Sequence, residues 1–359
     1  MKDSIKKIKV LMVGTDRSTK GGMWTVANNY ISNIEYNDKV ELKYIPTFIT
    51  GSVPKKLLFS FFSIIRVFFY FVFHRPQLLH VHMSERSSVY RKGITIKIAQ
   101  LFNSKVVIHM HGAEFQDWYE ELNDKKKAKV KKILNRADKV LILGEYWKAF
   151  VSSLVPEKKV VVLYNAVPHH ANVYNGNAST ILFLGVVGQR KGAFDLVKAF
   201  SEIIPEIPQN IHLDFYGPDF EKKIEQEIDN SGFSGRIRYM GWLGSDKKES
   251  VFKDTLCNVL PSYNEGLPMT ILETMSVGIP NISTNVAAIP EVIDDENGIL
   301  VHPGNIEEIK AALLKLIMNR EERIGKSRKS YEIIENGFII SKNIANTIRI
   351  YSEVLSIEK

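Results

Sequence analysis

Cysteine is nearly missing from this chain: Cys257 is the one thiol in 359 residues. A lone thiol cannot close an internal disulfide and has no cysteine partner for a zinc site, so a reducing compartment is expected. No Gly-x-Gly-x-x-Gly follows the first apolar run, which leads instead into Gly14-Thr15-Asp16-Arg17. That speaks against a nicotinamide-dependent dehydrogenase. Low-complexity tracts, collagen-like bias and internal repeats of about 20–50 residues are also missing. The start, Met1-Lys2-Asp3-Ser4-Ile5-Lys6-Lys7, is basic, but the apolar stretch after it stops at Gly14 and Asp16. It is too short for a secretory core, and a cytosolic protein is expected.

What is present is ordinary globular material, 45% hydrophobic and 25% charged. The length suggests about two domains, each able to bury its own core. The net charge of +8 is unevenly placed: residues 1–175 carry 28 Lys and Arg against 14 Asp and Glu, and the rest carries 20 against 26. A basic half of this kind suits a polyanion, either a nucleic acid or an anionic membrane surface. Short β-branched runs alternate with helical patterns. Strands are expected at Ile8–Val13, Val40–Ile45, Leu78–His82, Val106–Met110, Val140–Leu143 and Val160–Leu163. After the polar stretch Pro168-His169-His170-Ala171-Asn172-Val173-Tyr174-Asn175-Gly176-Asn177 they resume at Ile181–Leu184, Ile211–Tyr216, Ile237–Tyr239, Asn258–Leu260, Pro280–Ser283 and Ile299–Val301. This is the α/β pattern of parallel sheets covered on both faces. The expected fold is two doubly wound, Rossmann-like domains facing each other across a cleft, where ligands meet the carboxyl ends of the strands. The domains are placed at 1–170 and 171–337.

The segment Pro261-Ser262-Tyr263-Asn264-Glu265-Gly266-Leu267-Pro268-Met269-Thr270-Ile271-Leu272-Glu273 follows an apolar strand and opens a helix. Gly266 permits close backbone approach. The amides of Leu267, Met269 and Thr270 would stand at a helix N-terminus, which favours an anion. Carboxylates beside an anion site suit the paired hydroxyls of a sugar or ribose. A helix cap at Glu265 and plain exposure of Glu273 are the alternative reading.

Glu265-Gly266-x-Pro268 with Leu272-Glu273 eight residues after the first Glu, then Met275, Gly278 and Pro280, resembles the E-x7-E motif of family 4 glycosyltransferases. Other landmarks agree in order: Gly21-Gly22, His80-Val81-His82, His111-Gly112, Ala137-Asp138, Asn165-Ala166-Val167, Lys191-Gly192 and Gly298-x-Leu300-Val301. The resemblance covers essentially the whole chain. It implies the GT-B fold and retaining transfer from a nucleotide sugar. Glu265 would contact hydroxyls of the donor hexose, and Glu273 the ribose. The backbone over Gly266, Leu267, Pro268 and Met269 would hold the donor's sugar or phosphates. Lys191 would bind the diphosphate, Gly21 and Gly22 would let the first helix approach it, and His111 would lie beside the anomeric carbon. The last segment, 338–359, would cross back onto the first domain. Where the family usually has an arginine this chain has Val186, and Arg190 is the substitute in the same loop. Enzymes of another glycosyltransferase fold hold a metal with Asp-x-Asp, which does not occur here. Arg190, Lys191 and helix N-termini would neutralise the leaving diphosphate without metal. Neither metal nor cofactor is therefore expected beyond the donor, which is a substrate.

His80 and His82, like His109 and His111, are i,i+2 pairs on one side of a strand. Two such pairs could hold zinc, but no carboxylate or cysteine is spaced to complete a site, so buried or cleft-lining histidines are expected. His169-His170 reads as linker.

The run from Leu57 to Phe73 is the most apolar in the chain. As a helix it is about 25 Å long, short of the ~30 Å hydrocarbon core, and Arg66 sits at its centre. Ser60, Ser63, Arg66 and Tyr70 form one narrow stripe, leaving a wide apolar face that suits an interfacial helix with Lys55 and Lys56 at its start. A core helix with some exposed phenylalanines is the plainer alternative. Seven basic residues crowd Lys125 to Arg136, and each near an anionic bilayer contributes about 1 kcal/mol. No helix-turn-helix, zinc module or RNP-like aromatics accompany them, so nucleic acid is not expected as a partner. The expected partners are a nucleotide-sugar donor, a lipid-linked or glycan acceptor, and an anionic membrane surface. The protein would then sit on the inner face of the cell membrane. A soluble acceptor is one rival; a non-catalytic scaffold on the same fold, favoured by Val186, is another.

Overall fold

The computed structural model describes residues 7–19 and 21–356. The basic start before Lys7, together with Lys20 and residues 357–359, lies outside the described residues. The chain divides into two compact units. One comprises the residues up to Asn165 together with those from Ile340 onward, and the other Ala166–Ile339. The second unit begins ahead of the polar stretch because Val167 bridges to Ile339 in parallel and its N–H donates to the Phe338 carbonyl at 2.9 Å.

The first unit is built on β1 (Ile8–Thr15), β2 (Val40–Phe48), β3 (Leu78–Met83), β4 (Lys105–Met110), β5 (Lys139–Ile142) and β6 (Val160–Val162). They form one sheet in the order β2-β1-β3-β4-β5-β6, and every pairing is parallel. The second holds β7 (Thr180–Leu184), β8 (His212–Tyr216), β9 (Ile237–Gly241), β10 (Thr255–Leu260), β11 (Asn281–Thr284) and β12 (Gly298–Val301). Its order is β12-β11-β10-β7-β8-β9, again all parallel. All twelve strands expected from the sequence are present. Parallel sheets covered on both faces demand nearly continuous apolar strands, which explains why β7 and β10 are buried at every residue. In each sheet the strand order reverses once, between β1 and β3 and between β10 and β7. A doubly wound sheet opens its ligand crevice at such a switch point, beyond the carboxyl ends of the strands.

The last helix, Ile340–Leu355, belongs to the first unit. Its buried face carries Ile344, Thr347, Ile350, Tyr351 and Val354. The Tyr351 hydroxyl meets that of Tyr36 at 3.1 Å, and the Tyr30 hydroxyl donates to Asn343 Oδ1 at 2.9 Å.

The apolar run forms a longer helix than its composition indicated, Val53–His74. Its 22 residues reach about 33 Å at 1.5 Å each, enough in length and composition to cross a bilayer. One narrow stripe of it packs against the first unit. Only Ser63, Val67 and Phe71 are buried, a stripe spaced four residues apart, and Ser60 donates to the Thr47 carbonyl at 3.1 Å. The helix thus turns part of its serine stripe toward the sheet and its phenylalanines outward: Phe61 is 59% exposed, Phe69 51% and Phe73 74%. In the same unit, the helix Asp124–Leu134 buries Val130, Ile133 and Leu134 and exposes Lys125, Lys126, Lys129, Lys131 and Lys132.

Candidate functional site

In the second unit the loops after β7 and β10 meet at the switch point. Gly192 closes the first loop at φ 70°, where a Cβ would strike the Pro261 carbonyl oxygen at 2.1 Å. Only glycine permits that approach. The Tyr263 N–H then donates to the Arg190 carbonyl at 2.9 Å, and the Arg190 guanidinium to the Asn264 carbonyl at 2.9 Å. This stitching puts the Lys191 ammonium on Glu265 Oε1, to which the Ser262 hydroxyl also donates at 2.7 Å. Glu265 is 5% exposed. Burial pulls the Lys191 ammonium below its ordinary value against the opposing pull of Glu265. Removing one member of a buried ion pair strands the other at a cost of about 3–5 kcal/mol, so the two charges depend on each other.

The structure thus brings Arg190, Lys191 and Glu265 together. Pro268 caps the short helix Met269–Met275 that follows. Glu273 lies within that helix and pairs with Lys248 at 2.8 Å. Val186 is half-buried at the start of the β7 loop, while Arg190 is exposed at its end. Sequence reasoning missed Ser262 and Lys248. A serine beside a strand end and a lysine on a polar helix carry no signal of their own until the fold sets a carboxylate opposite each.

In the first unit Gly21 has φ 154° and precedes the helix Gly22–Ile31, with nothing among the described residues within 4 Å of a Cβ built on it. Four imidazoles line the carboxyl-end half of β3 and β4. Register sets His82 opposite His109. Ring centroids lie 4.7 Å apart for His80 and His82 and 4.2 Å for His109 and His111. His82 Nδ1 and His111 Nε2 are 2.8 Å apart, and His80 Nδ1 pairs with the Tyr351 hydroxyl. Burial drives all four well below the ordinary imidazole value, with the neighbouring imidazoles adding to the effect at His80, His82 and His111; His109 falls to about 3. Lys92, 1% exposed and donating to Ser88 Oγ at 3.1 Å, is pulled down by the same burial. Nothing in the sequence marked it, because helical lysines are ordinarily solvated.

A cavity of about 480 Å³ lies farther out on this unit, lined by Arg86, Ser87, Tyr90, Trp118, Lys126 and Lys129. The Lys129 ammonium sits 5.0 Å above the Tyr90 ring. Cations beside aromatic faces suit a ligand that joins an anion to an apolar or sugar-like body.

Residues 169–332, within the second unit, match the family model described as glycosyl transferases, group 1. An uncharacterized glycosyltransferase of Methanocaldococcus jannaschii is 28% identical over 221 residues, spanning 61% of this chain and 60% of that protein's length. An uncharacterized 41.2 kDa protein in the cps region of Klebsiella pneumoniae is 26% identical over 315 residues, 79% of this chain and 84% of that protein. Among solved structures, Anabaena HepE in complex with UDP and glucose superposes with a TM-score of 0.76 at 14% identity, covering 96% of this chain and 99% of that one. The fold is GT-B. The family match and the relatives named as glycosyltransferases support a transferase enzyme.

Neutral buried imidazoles make stability depend on pH with a definite sign. Their folded values lie below about 6.5, the unfolded value, so the unfolded chain takes up protons first as the pH falls. Their contribution is complete above about pH 6.5 and is lost as the pH drops toward the folded value, each fully buried histidine adding a slope of about 1.4 kcal/mol per pH unit. Urea unfolding of chelator-treated protein between about pH 6.5 and 4 should therefore show stability falling with acid, and His109→Gln should flatten the slope by about that amount. An unchanged slope in a folded variant contradicts the assignment.

Proposed function

We propose that this protein is a retaining family 4 glycosyltransferase that moves a hexose or related sugar from a UDP- or GDP-sugar to a membrane-associated acceptor. The observation that carries this reading is the Lys191–Glu265 pair at the switch point of the second sheet, within the stretch that matches the glycosyl transferase model. One buried cation and one buried carboxylate match the two ends of a nucleotide sugar's reactive portion. As the donor enters, the diphosphate takes Lys191 and the sugar hydroxyls take Glu265, so each charge exchanges one partner for another and neither is stranded. Glu273 then turns from Lys248 to the ribose, and the backbone over Gly266, Leu267, Pro268 and Met269 supports the donor.

Transfer breaks the bond between the anomeric carbon and the diphosphate oxygen. Negative charge gathers on the leaving diphosphate, and Lys191 and Arg190 neutralise it as fixed cations, Arg190 in place of the guanidinium missing at Val186. No metal takes part in this step. The acceptor oxygen bonds to the anomeric carbon from the same face and passes its proton to the departing phosphate.

The acceptor reading rests on the first unit's surface. The outward phenylalanines of Val53–His74 suit the interfacial zone of a bilayer, and the lysines of Asp124–Leu134 its anionic headgroups. The cavity lined by Arg86, Lys126, Lys129 and Trp118 suits the phosphate and sugar of a polyprenyl-diphosphate-linked glycan or a glycolipid. A place in surface polysaccharide assembly, on the cytoplasmic face of the membrane, follows from that acceptor.

Two experiments test the reading. Transfer from labelled UDP- and GDP-sugars to a lipid extract, followed by mass spectrometry, should fall at least about a hundredfold in Glu265→Gln with the fold intact; loss of one fixed transition-state partner typically costs about that much. Undiminished transfer in Glu265→Gln removes the assigned role, and a folded wild type that transfers nothing favours the scaffold reading. Flotation with phosphatidylglycerol vesicles should carry the wild type, with salt weakening binding and Phe61→Ser/Phe69→Ser abolishing it. A protein that ignores the vesicles acts on a soluble acceptor.

A further inference from the structure

The donor chemistry leaves three buried histidines of the first unit without a task. His80, His82 and His109 are each 0% exposed, and one ring nitrogen from each lies within 4.8 Å of the others. Among the described residues, four of their ring nitrogens have no hydrogen-bond partner: His80 Nε2, His82 Nε2 and both nitrogens of His109. The other two are held from outside, His80 Nδ1 by the Tyr351 hydroxyl and His82 Nδ1 by His111 Nε2. His80 and His82 show the division of labour of metal-ligating histidines, in which an outer partner fixes ring orientation through one nitrogen and the other turns inward with a lone pair, while His109 has both nitrogens open to a ligand. Burial holds all three rings neutral, which is the form that ligates.

We propose that His80, His82 and His109 bind one transition-metal ion beside the first sheet, with copper(I) preferred to zinc(II). The absence of a suitably spaced carboxylate or cysteine argued against a metal in the sequence, but parallel pairing supplies a third imidazole instead, by setting His109 of β4 opposite His82 of β3. The three ligands are all neutral, so the ion's whole charge is buried with it. Desolvation cost rises with the square of the charge, and a monovalent ion therefore suits the site better than a divalent one. Imidazole is a good ligand for copper. Met12 of β1 stands in register with His80, which puts a thioether on the same face of the sheet, and soft sulfur ligands favour copper(I). The ion is structural: it gives partners to buried nitrogens and ties β3 to β4, and the transfer step does not run through it.

The test uses the full chain, stripped with chelator, incubated anaerobically with copper(I) or zinc(II), desalted and analysed for bound metal. The expected result is about one copper(I) per chain and a raised melting temperature. Retention should be lost in His82→Gln and in His109→Gln, each checked for native circular dichroism, and kept in His169→Ala/His170→Ala at the exposed pair. Should both ladder variants unfold, X-ray absorption of the loaded wild type decides: nitrogen ligands at about 2.0 Å are expected, and an oxygen-only shell overturns the site. A folded wild type that retains neither ion, or ladder variants that retain copper undiminished, also overturns it. Zinc held in preference to copper overturns the choice of ion.

Discussion

The second unit turns on one interaction, the ion pair of Lys191 with Glu265 in a place that water scarcely reaches. Two charges taken out of water are costly, and neither is tolerable there without the other. Everything nearby maintains the pair. Gly192 lets one loop press on Pro261, Tyr263 and Arg190 lace the loops together, and Ser262 adds a second donor to the same carboxylate oxygen. A buried pair of this kind is a weak source of stability. It is a good way to keep a cation and a carboxylate preorganised for a ligand that presents an anion and hydroxyls together.

The first unit handles its polar interior differently, by neutrality. Three imidazoles and one lysine are buried around the carboxyl-end half of β3 and β4, with His111 half-buried beside them, and loss of water contact lowers the protonation of all five. The closing helix matters here, because the one Tyr351 hydroxyl both holds His80 and meets the hydroxyl of Tyr36. A helix near the end of the chain thereby fixes groups near the middle of the first sheet. Outside this core the unit presents two surfaces of unlike chemistry, one rich in phenylalanine and one rich in lysine.

Much of this was legible in the amino-acid order. Parallel strands buried on both faces must be apolar runs, and most of the twelve could be read from Val, Ile and Leu clusters, although β8, β9 and β11 hold only one such residue each. Glu265 stood out by its turn before Gly266, and Lys191 through the family resemblance that its Lys191-Gly192 landmark helps to carry. What could not be read was mutual placement. That Lys191 meets Glu265 depends on two loops far apart in sequence, that Glu273 pairs with Lys248 on the placement of two helices, and that Ser262 shares the carboxylate on the turn of its own loop. The buried state of Lys92 left no trace, since its helix has no clean apolar periodicity. The helix Val53–His74 was read as apolar, but its rotation was not foreseen: Ser63 points inward because a small side chain lets the helix pack closely, and the phenylalanines go outward.

The central claim is that the Lys191–Glu265 constellation is a nucleoside-diphosphate site. Calorimetric titration of the purified chain with UDP, GDP, ADP and NAD, with and without EDTA, measures it most directly. One nucleoside diphosphate should bind with EDTA making no difference, NAD should not bind, and Lys191→Ala should weaken binding at least about tenfold, the equivalent of about 1.4 kcal/mol. Binding that is unaffected by Lys191→Ala, or no binding of any nucleoside diphosphate to the folded protein, would contradict the account.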